Sequence, residues 1–251
     1  MESEIIDTLP ALRAFLNDIP VATDPPTLYV DLEGNNLSRH GTLSLVTIMV
    51  EPRHTMHLID VTTLKKDAFT TADEGSNTLQ QILESSSITK VFFDIRRDSD
   101  ALFHLFGVRV AGIQDLQLME IATRSSAKRF LSGLAKCVEK DARLAFSEKV
   151  QWQATKNKGH RLFDPASGGS YAVFDERPLS PEMLAYCVQD VIHVPVLLDQ
   201  YKAKLSDAWM VKVEQETAAR IALSQSASFD PKGQRMVEAP AGWEHWRPGG
   251  A

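Results

Sequence analysis

The stretch Thr27-Leu28-Tyr29-Val30-Asp31-Leu32-Glu33 decides how the rest of the chain is read. Leu28, Val30 and Leu32 alternate with Tyr29, Asp31 and Glu33, and a period of two specifies a β-strand. On such a strand Asp31 and Glu33 project from one face and the three aliphatic residues from the other. Adjacent carboxylates disfavour each other's ionisation unless protons or a cation compensate. A solvated strand end is the simpler account of the pair taken alone.

Working outward, Thr42–Val50 is a near-continuous apolar run and Met56–Val61 a third strand, with turns at Gly34-Asn35-Asn36 and Glu51-Pro52-Arg53-His54. The pattern predicts an antiparallel meander over about residues 27–64. After Ser76 the period becomes helical, followed by a short strand at Lys90–Phe93 and a helix ending at Gly107. A short strand at 113–115 and helices near 116–123 and 130–139 come next. Residues 151–177 show no period and carry Lys156-Asn157-Lys158-Gly159 and Ser167-Gly168-Gly169-Ser170, which predicts a loop or insertion. Ser180, Pro181 and Glu182 open a helix, Pro195 interrupts it, and another helix covers about 206–224. Strands first, then mixed elements, then helices predict one α/β domain with a mixed sheet flanked by helices. The domain is expected over residues 1–225, its core at about 25–205. Residues 226–251, rich in Pro, Gly and polar residues, are expected to form a mobile tail or to dock through Trp243 or Trp246.

Further acids stand where carboxylates are unusual. Asp98 lies in a first helical turn, in line with Leu102 and Leu105 at i+4 and i+7, which puts it on the buried stripe. Helix-dipole complementation and metal binding explain it equally well. Tyr186 and Asp190 are one turn apart on the helix opened by Ser180, and a self-satisfied Tyr–Asp pair is the simple account of that spacing.

Taken in order, Tyr29-Val30-Asp31-Leu32-Glu33-Gly34, Phe93-Asp94-Ile95-Arg96-Arg97-Asp98-Ser99 and Tyr186-Cys187-Val188-Gln189-Asp190 resemble the three motifs of DEDDy-type 3′–5′ exonuclease domains. This is the ribonuclease D and proofreading-exonuclease superfamily, with a ribonuclease H-like fold. Leu37-Ser38-Arg39-His40-Gly41 and Gly168-Gly169-Ser170-Tyr171 look most like its Egalitarian-like branch, whose members associate with RNA. The resemblance covers about residues 25–205. It implies that Asp31, Glu33, Asp98 and Asp190 hold two divalent metals, Mg²⁺ or Mn²⁺, with Tyr186 beside the attacking water. The residue types suit that chemistry independently. Hard oxygen donors match such ions, and two dications about 3.5–4 Å apart neutralise four carboxylates while stabilising a phosphoryl transition state. In one respect the chain departs from the pattern: Asp94 stands where relatives often carry another residue, and with Asp100 it adds negative charge near the site.

The 251 residues are 43% hydrophobic, with 27 basic against 33 acidic side chains and a net charge of −6. Overall acidity disfavours a protein that coats long duplex through its whole surface. The charge is uneven, however. Arg124 to Arg161 carries ten basic and three acidic residues. That segment, with Lys149, Lys156, Lys158 and Arg161, reads either as a phosphate track for a single strand or as a solvated helix face. Arg39 and His40, just past the first motif, are candidates to touch a terminal nucleotide, and Leu32 is a substrate-side candidate that otherwise fills a core or wedge position. Two isolated cysteines, Cys137 and Cys187, exclude a disulfide framework or thiolate zinc site and suit a reducing compartment. Phosphate-loop, dinucleotide and zincin motifs are absent from the sequence.

With an acidic N-terminus and no long apolar run, the protein is expected in the cytoplasm or nucleus, without membrane association. The expected activity is metal-dependent 3′–5′ hydrolysis of single-stranded nucleic acid, RNA favoured over DNA. A catalytically inactive module of the same fold that binds RNA or a protein partner is the alternative. No sequence feature argues for an oligomer.

Overall fold

Alternation along the strands becomes a sheet covered on both faces. The computed structural model describes residues 3–19, 26–233 and 236–246. The chain opens with β1 (Ser3–Ile6) and α1 (Leu9–Asp18), two elements that sequence periodicity does not predict. Three of the four β1 residues are exposed, so the strand carries no alternation to detect. Thr8 caps α1 by accepting a hydrogen bond from the Ala11 amide. The predicted meander follows as β2 (Thr27–Glu33), β3 (Leu45–Val50) and β4 (Thr55–Asp60). Its antiparallel register sets Asp31 opposite Thr47 and Glu33 opposite Leu45. Short helices α2 (Val61–Leu64), α3 (Asp67–Thr70) and α4 (Leu79–Glu84) lead to β5 (Thr89–Phe92), α5 (Ile95–Phe106) and β6 (Ile113–Asp115). The strand order is β1-β4-β3-β2-β5-β6, with β1, β5 and β6 each parallel to a neighbour and β2–β4 antiparallel. The sheet is therefore mixed, as expected.

Then come α6 (Leu116–Thr123), α7 (Leu134–Asp141), α8 (Phe146–Phe163), α9 (Pro181–Ile192), α10 (Val194–Lys202) and α11 (Asp207–Ser224). Leu28, Val30 and Leu32 bury one face of β2 together with Leu12, Leu16, Phe69, Leu83 and Leu102. Tyr29 faces the other core, with Leu118, Met183, Val191 and Leu197. At about 25 cal/mol per Å² of apolar surface removed from water, these two layers supply most of the driving force for folding. Asp31 and Glu33 share the Tyr29 face and stay half-buried where that core opens.

One segment corrects the sequence expectation. The first half of the predicted loop at 151–177 belongs to the 18-residue helix α8, and two 3₁₀ turns follow, Pro165–Ser167 and Tyr171–Phe174. Only Trp152 and Gly159 are buried on α8. A helix that is polar nearly all round shows no apolar stripe, and glycine within it reads as a breaker. The interruption near Pro195 falls at His193, between α9 and α10.

Beyond α11 the chain packs back on the domain. Trp243 is 2% exposed and meets Trp209 of α11 at 5.2 Å between ring centres, while Trp246 meets the same ring at 4.2 Å. Residues 234–235 and 247–251, within the expected tail, lie outside the described residues.

Candidate active site

Three elements bring the acids together. The end of β2 carries Asp31 and Glu33, the first turn of α5 carries Asp98, and α9 carries Tyr186 and Asp190. Ser180 caps α9 by accepting from the Met183 amide, which fixes where the helix starts and hence where its inner face points. Carboxylate oxygens of Asp31, Glu33 and Asp190 lie within 4.8 Å of one another. Asp98, 7% exposed, stands outside that trio but close enough for its charge to act on Asp31 and Glu33.

Electrostatics match the crowding. Burial first, then the charge of Asp190, pushes Asp31 up to about 8, against a smaller opposing pull from Lys156. Glu33 is raised well above the usual carboxylate range by burial and by Asp31 and Asp190. Asp98 is raised by burial and by Asp31 and Asp94. Burial and the charges of Asp190 and Glu33 drive the Tyr186 phenol far above its ordinary value, so it stays protonated and acts as a hydrogen-bond donor. Carboxylates that resist ionisation together and offer only hard oxygen atoms fit Mg²⁺ or Mn²⁺.

The opening of α5 explains the extra acids. Asp94 takes a left-handed conformation, φ 66°, which turns the chain from β5 into the helix. Asp115, fully buried, accepts hydrogen bonds from the amides of Asp94 and Ile95 and from those of Gln117 and Leu118 at the start of α6. Arg220 of α11 bridges Asp115 at 2.7 Å and Asp94 at 3.4 Å. Arg96 pairs with Asp94 at 2.6 Å. Asp100 is fully buried against Arg39 at 2.7 Å. Arginines therefore partner both extra acids, yet the charge of Asp94 still acts on Asp98, as expected of an added acid near the site.

Arg39, expected to touch a terminal nucleotide, also has structural work. Besides holding Asp100, its guanidinium donates to the carbonyls of Ser224 and Ser226. Those bonds tie the loop after β2 to the end of α11 and engage the Nε and Nη2 donors of the group. His40 is exposed and lines the cleft, as does Leu32. Lys149, Lys158 and Arg161 sit on α8 and are not among the residues lining the cleft. Lys156 alone of this group reaches the acids: its ammonium donates to Asp190 Oδ1 and lies 4.2 Å from the centre of the Tyr186 ring.

Glu33, Asp98 and Tyr186 line a cleft of about 1150 Å³. Phe93, Phe163, Tyr171 and Phe229 stand along it, and Pro231, Met236 and Val237 of the C-terminal segment form part of its wall. Phe163 meets Tyr186 edge-on at 5.0 Å and stacks on Tyr171 at 5.8 Å. Sequence reasoning missed Phe163, Tyr171 and Phe229, since aromatics outside a periodic element give no sign of which way they face.

A mixed sheet carrying a carboxylate pair on its central strand, closed by an acid-and-tyrosine helix, defines a ribonuclease H-like exonuclease domain. A family model described as "3'-5' exonuclease" matches residues 3–206, and the chain belongs to that family, as a domain of the DEDDy type. The piRNA biogenesis protein EXD1 of Mus musculus is 26% identical over 220 residues, covering 81% of this chain and 35% of that protein. The chain thus spans about a third of the length of that relative. Trypanosoma brucei RNase D in complex with RNA U12 superposes with a TM-score of 0.72 at 25% identity, covering 96% of this chain and 77% of that one. Brucella melitensis NrnC with bound Mg²⁺ shares the fold, with a TM-score of 0.60 at 18% identity over 92% of this chain and 96% of that one. Among the described residues, no helix is long and apolar enough to cross a membrane.

Proposed function

We propose that this domain is a metal-dependent exonuclease that removes nucleotides from the 3′ end of single-stranded nucleic acid, RNA in preference to DNA. The observation that carries this reading is the convergence of Asp31, Glu33 and Asp190 within 4.8 Å, with Glu33 and Tyr186 lining an aromatic cleft. Asp31, Glu33, Asp98 and Asp190 would hold two ions, Mg²⁺ or Mn²⁺. When bound, such ions polarise the phosphoryl oxygens, acidify the attacking water and stabilise the leaving oxygen.

The chain's own residues supply the rest. Tyr186, held protonated, donates a hydrogen bond that orients the water for attack on phosphorus. Water adds, the bond from phosphorus to the 3′ oxygen of the preceding nucleotide breaks, and a nucleoside 5′-monophosphate leaves a shortened strand with a 3′-hydroxyl. Phe93, Phe163, Tyr171 and Phe229 offer faces on which unpaired bases can stack, worth about 1–3 kcal/mol per base. Small-ligand pockets hold about 300–1,000 Å³. The 1150 Å³ cleft has room for the end of an oligonucleotide. The 3′–5′ direction rests on family membership. The preference for RNA rests on likeness to EXD1 and to an RNase D solved with RNA.

The test uses 3′-labelled and 5′-labelled RNA and DNA oligonucleotides with Mn²⁺, and an Asp31→Ala control. Stepwise shortening of the 5′-labelled strand, immediate loss of the 3′ label and silence in EDTA are expected. Cleavage that persists in EDTA overturns the metal reading. Tight RNA binding with no cleavage in either ion would leave an RNA-binding module of the same fold.

A further inference from the structure

Lys156 stands in the carboxylate cluster because of how α8 is packed. Lys156, Gly159 and Phe163 lie at i, i+3 and i+7 and share one face of the helix. That face rests on Tyr186. A Cβ built on Gly159 would come 2.4 Å from Tyr186 Cδ2, so glycine is what lets the helix approach this closely. Phe163 meets the same ring edge-on at 5.0 Å. One turn back, the Lys156 stem crosses the ring face and delivers its ammonium to Asp190 Oδ1. The two side chains of this pair are only 16% and 8% exposed. Among the described residues it is the only ion pair made by Asp31, Glu33, Asp98 or Asp190.

We propose that Lys156 is a built-in cation of this cluster, which competes with a divalent ion for Asp190 and must withdraw before a second ion can bind there. The inference rests on the metal-dependent reading above. Four ionised carboxylates carry −4, and the ammonium reduces that to −3. One dication beside Lys156 leaves −1. Two dications give +1 if the ammonium stays and zero if it leaves. An ammonium and a dication on one carboxylate oxygen also repel at close range, and the low dielectric of a half-buried site strengthens that repulsion. Lys156 is therefore a positioning residue: it holds Asp190 in place and sets how readily the second ion enters.

The test is Mn²⁺ titration calorimetry on the full chain, with electron paramagnetic resonance counting bound ions. Wild type is compared with K156M, which keeps the stem, and K156R, which keeps the charge. K156Q serves in place of K156M should that variant fail to fold by circular dichroism. We expect the neutral variant to bind the weaker ion about tenfold more tightly than wild type, about 1.4 kcal/mol, and K156R to behave as wild type. Unchanged or weaker Mn²⁺ binding in the neutral variant, with wild type binding normally, overturns the competition and leaves the proposed function standing. Absence of Mn²⁺ binding in every protein overturns both.

Discussion

The two walls of the cleft are built on different physics. The wall that carries Asp98 is an arginine lattice: Arg220 on Asp115 and Asp94, Arg96 on Asp94, and Arg39 on Asp100, with Asp100 and Asp115 fully buried. The wall that carries Tyr186 and Asp190 is a steric fit, α8 lying on α9 through Gly159, Phe163 and the Tyr186 ring, with Lys156–Asp190 as its ion pair. Acids in the lattice are satisfied and have structural work. Acids in the cluster repel and want a cation. Sequence proximity to a motif does not separate the two kinds; the count of buried arginines does.

That difference is open to attack, and the largest effect on stability should come from the lattice. Asp115→Ala leaves Arg220 buried beside a lost partner and strips the amides at the starts of α5 and α6 of their acceptor. Breaking one side of a buried ion pair costs about 3–5 kcal/mol, measured by urea denaturation. A loss below about 1 kcal/mol would show that the arginines carry little of the wall. Asp115→Asn, which keeps the shape but loses the charge, should fall between wild type and Ala.

The steric wall should yield less. Gly159→Ala gains helix propensity of about 1 kcal/mol, yet its methyl group has to displace the Tyr186 ring. Overpacking of this kind costs about 1–3 kcal/mol, so a small net destabilisation is expected, with slower cleavage because Tyr186 moves. A more stable, fully active Gly159→Ala protein would mean that α8 does not press on Tyr186.

A third measurement separates the walls by pH. Asp31 holds its proton to about pH 8 in the folded chain and loses it near 4 when unfolded. Between those values the folded state binds more protons, so stability in EDTA should fall as pH rises through that window and level off above it. Glu33 and Asp98 shift in the same direction. Asp31→Asn should flatten the fall. A few degrees of melting temperature are expected, at about 2–4 °C per kcal/mol for a chain of this size. A wild-type curve that rises from pH 5 to 8 in EDTA at least as steeply as that of Asp31→Asn would remove the repulsion from the cluster.

Periodic elements made the facing of the cluster residues legible, and the resemblance of the three motifs to DEDDy-type exonuclease domains is what grouped them. Period two puts Asp31 and Glu33 on one face of β2, the Leu102 stripe turns Asp98 inward, and a four-residue step aligns Tyr186 with Asp190. The central sheet was legible for the same reason. What escaped depends on partners far away in the chain. The structural work of Arg39 was hidden, since nothing near residue 39 reveals that the Ser224 and Ser226 carbonyls engage its Nη2. Helix α8 escaped because its buried side is a tryptophan and a glycine rather than a stripe. Lys156 was picked out within a basic run as a phosphate contact, and the bond to Asp190 appears only once α8 is folded onto α9.

The smallest effect on stability, and the sharpest test of the steric wall's purpose, belongs to Tyr186→Phe. The ring is what Gly159 and Phe163 pack against, and phenylalanine keeps it. Loss of the hydroxyl should therefore change stability by less than about 0.5 kcal/mol, in the range of substitutions that leave packing intact. None of the four carboxylates is touched, so Mn²⁺ affinity should hold. The cleavage rate is another matter. A positioned proton-handling group contributes about 10²–10⁴-fold, and Tyr186→Phe should lose that much in single-turnover assays while binding RNA as wild type does. Asp190→Ala, one turn along the same helix, should lose metal binding and cleavage together. If Tyr186→Phe cleaves at the wild-type rate, the hydroxyl has no part in orienting water, and the close approach of α8 serves only to hold Lys156 and Asp190 together.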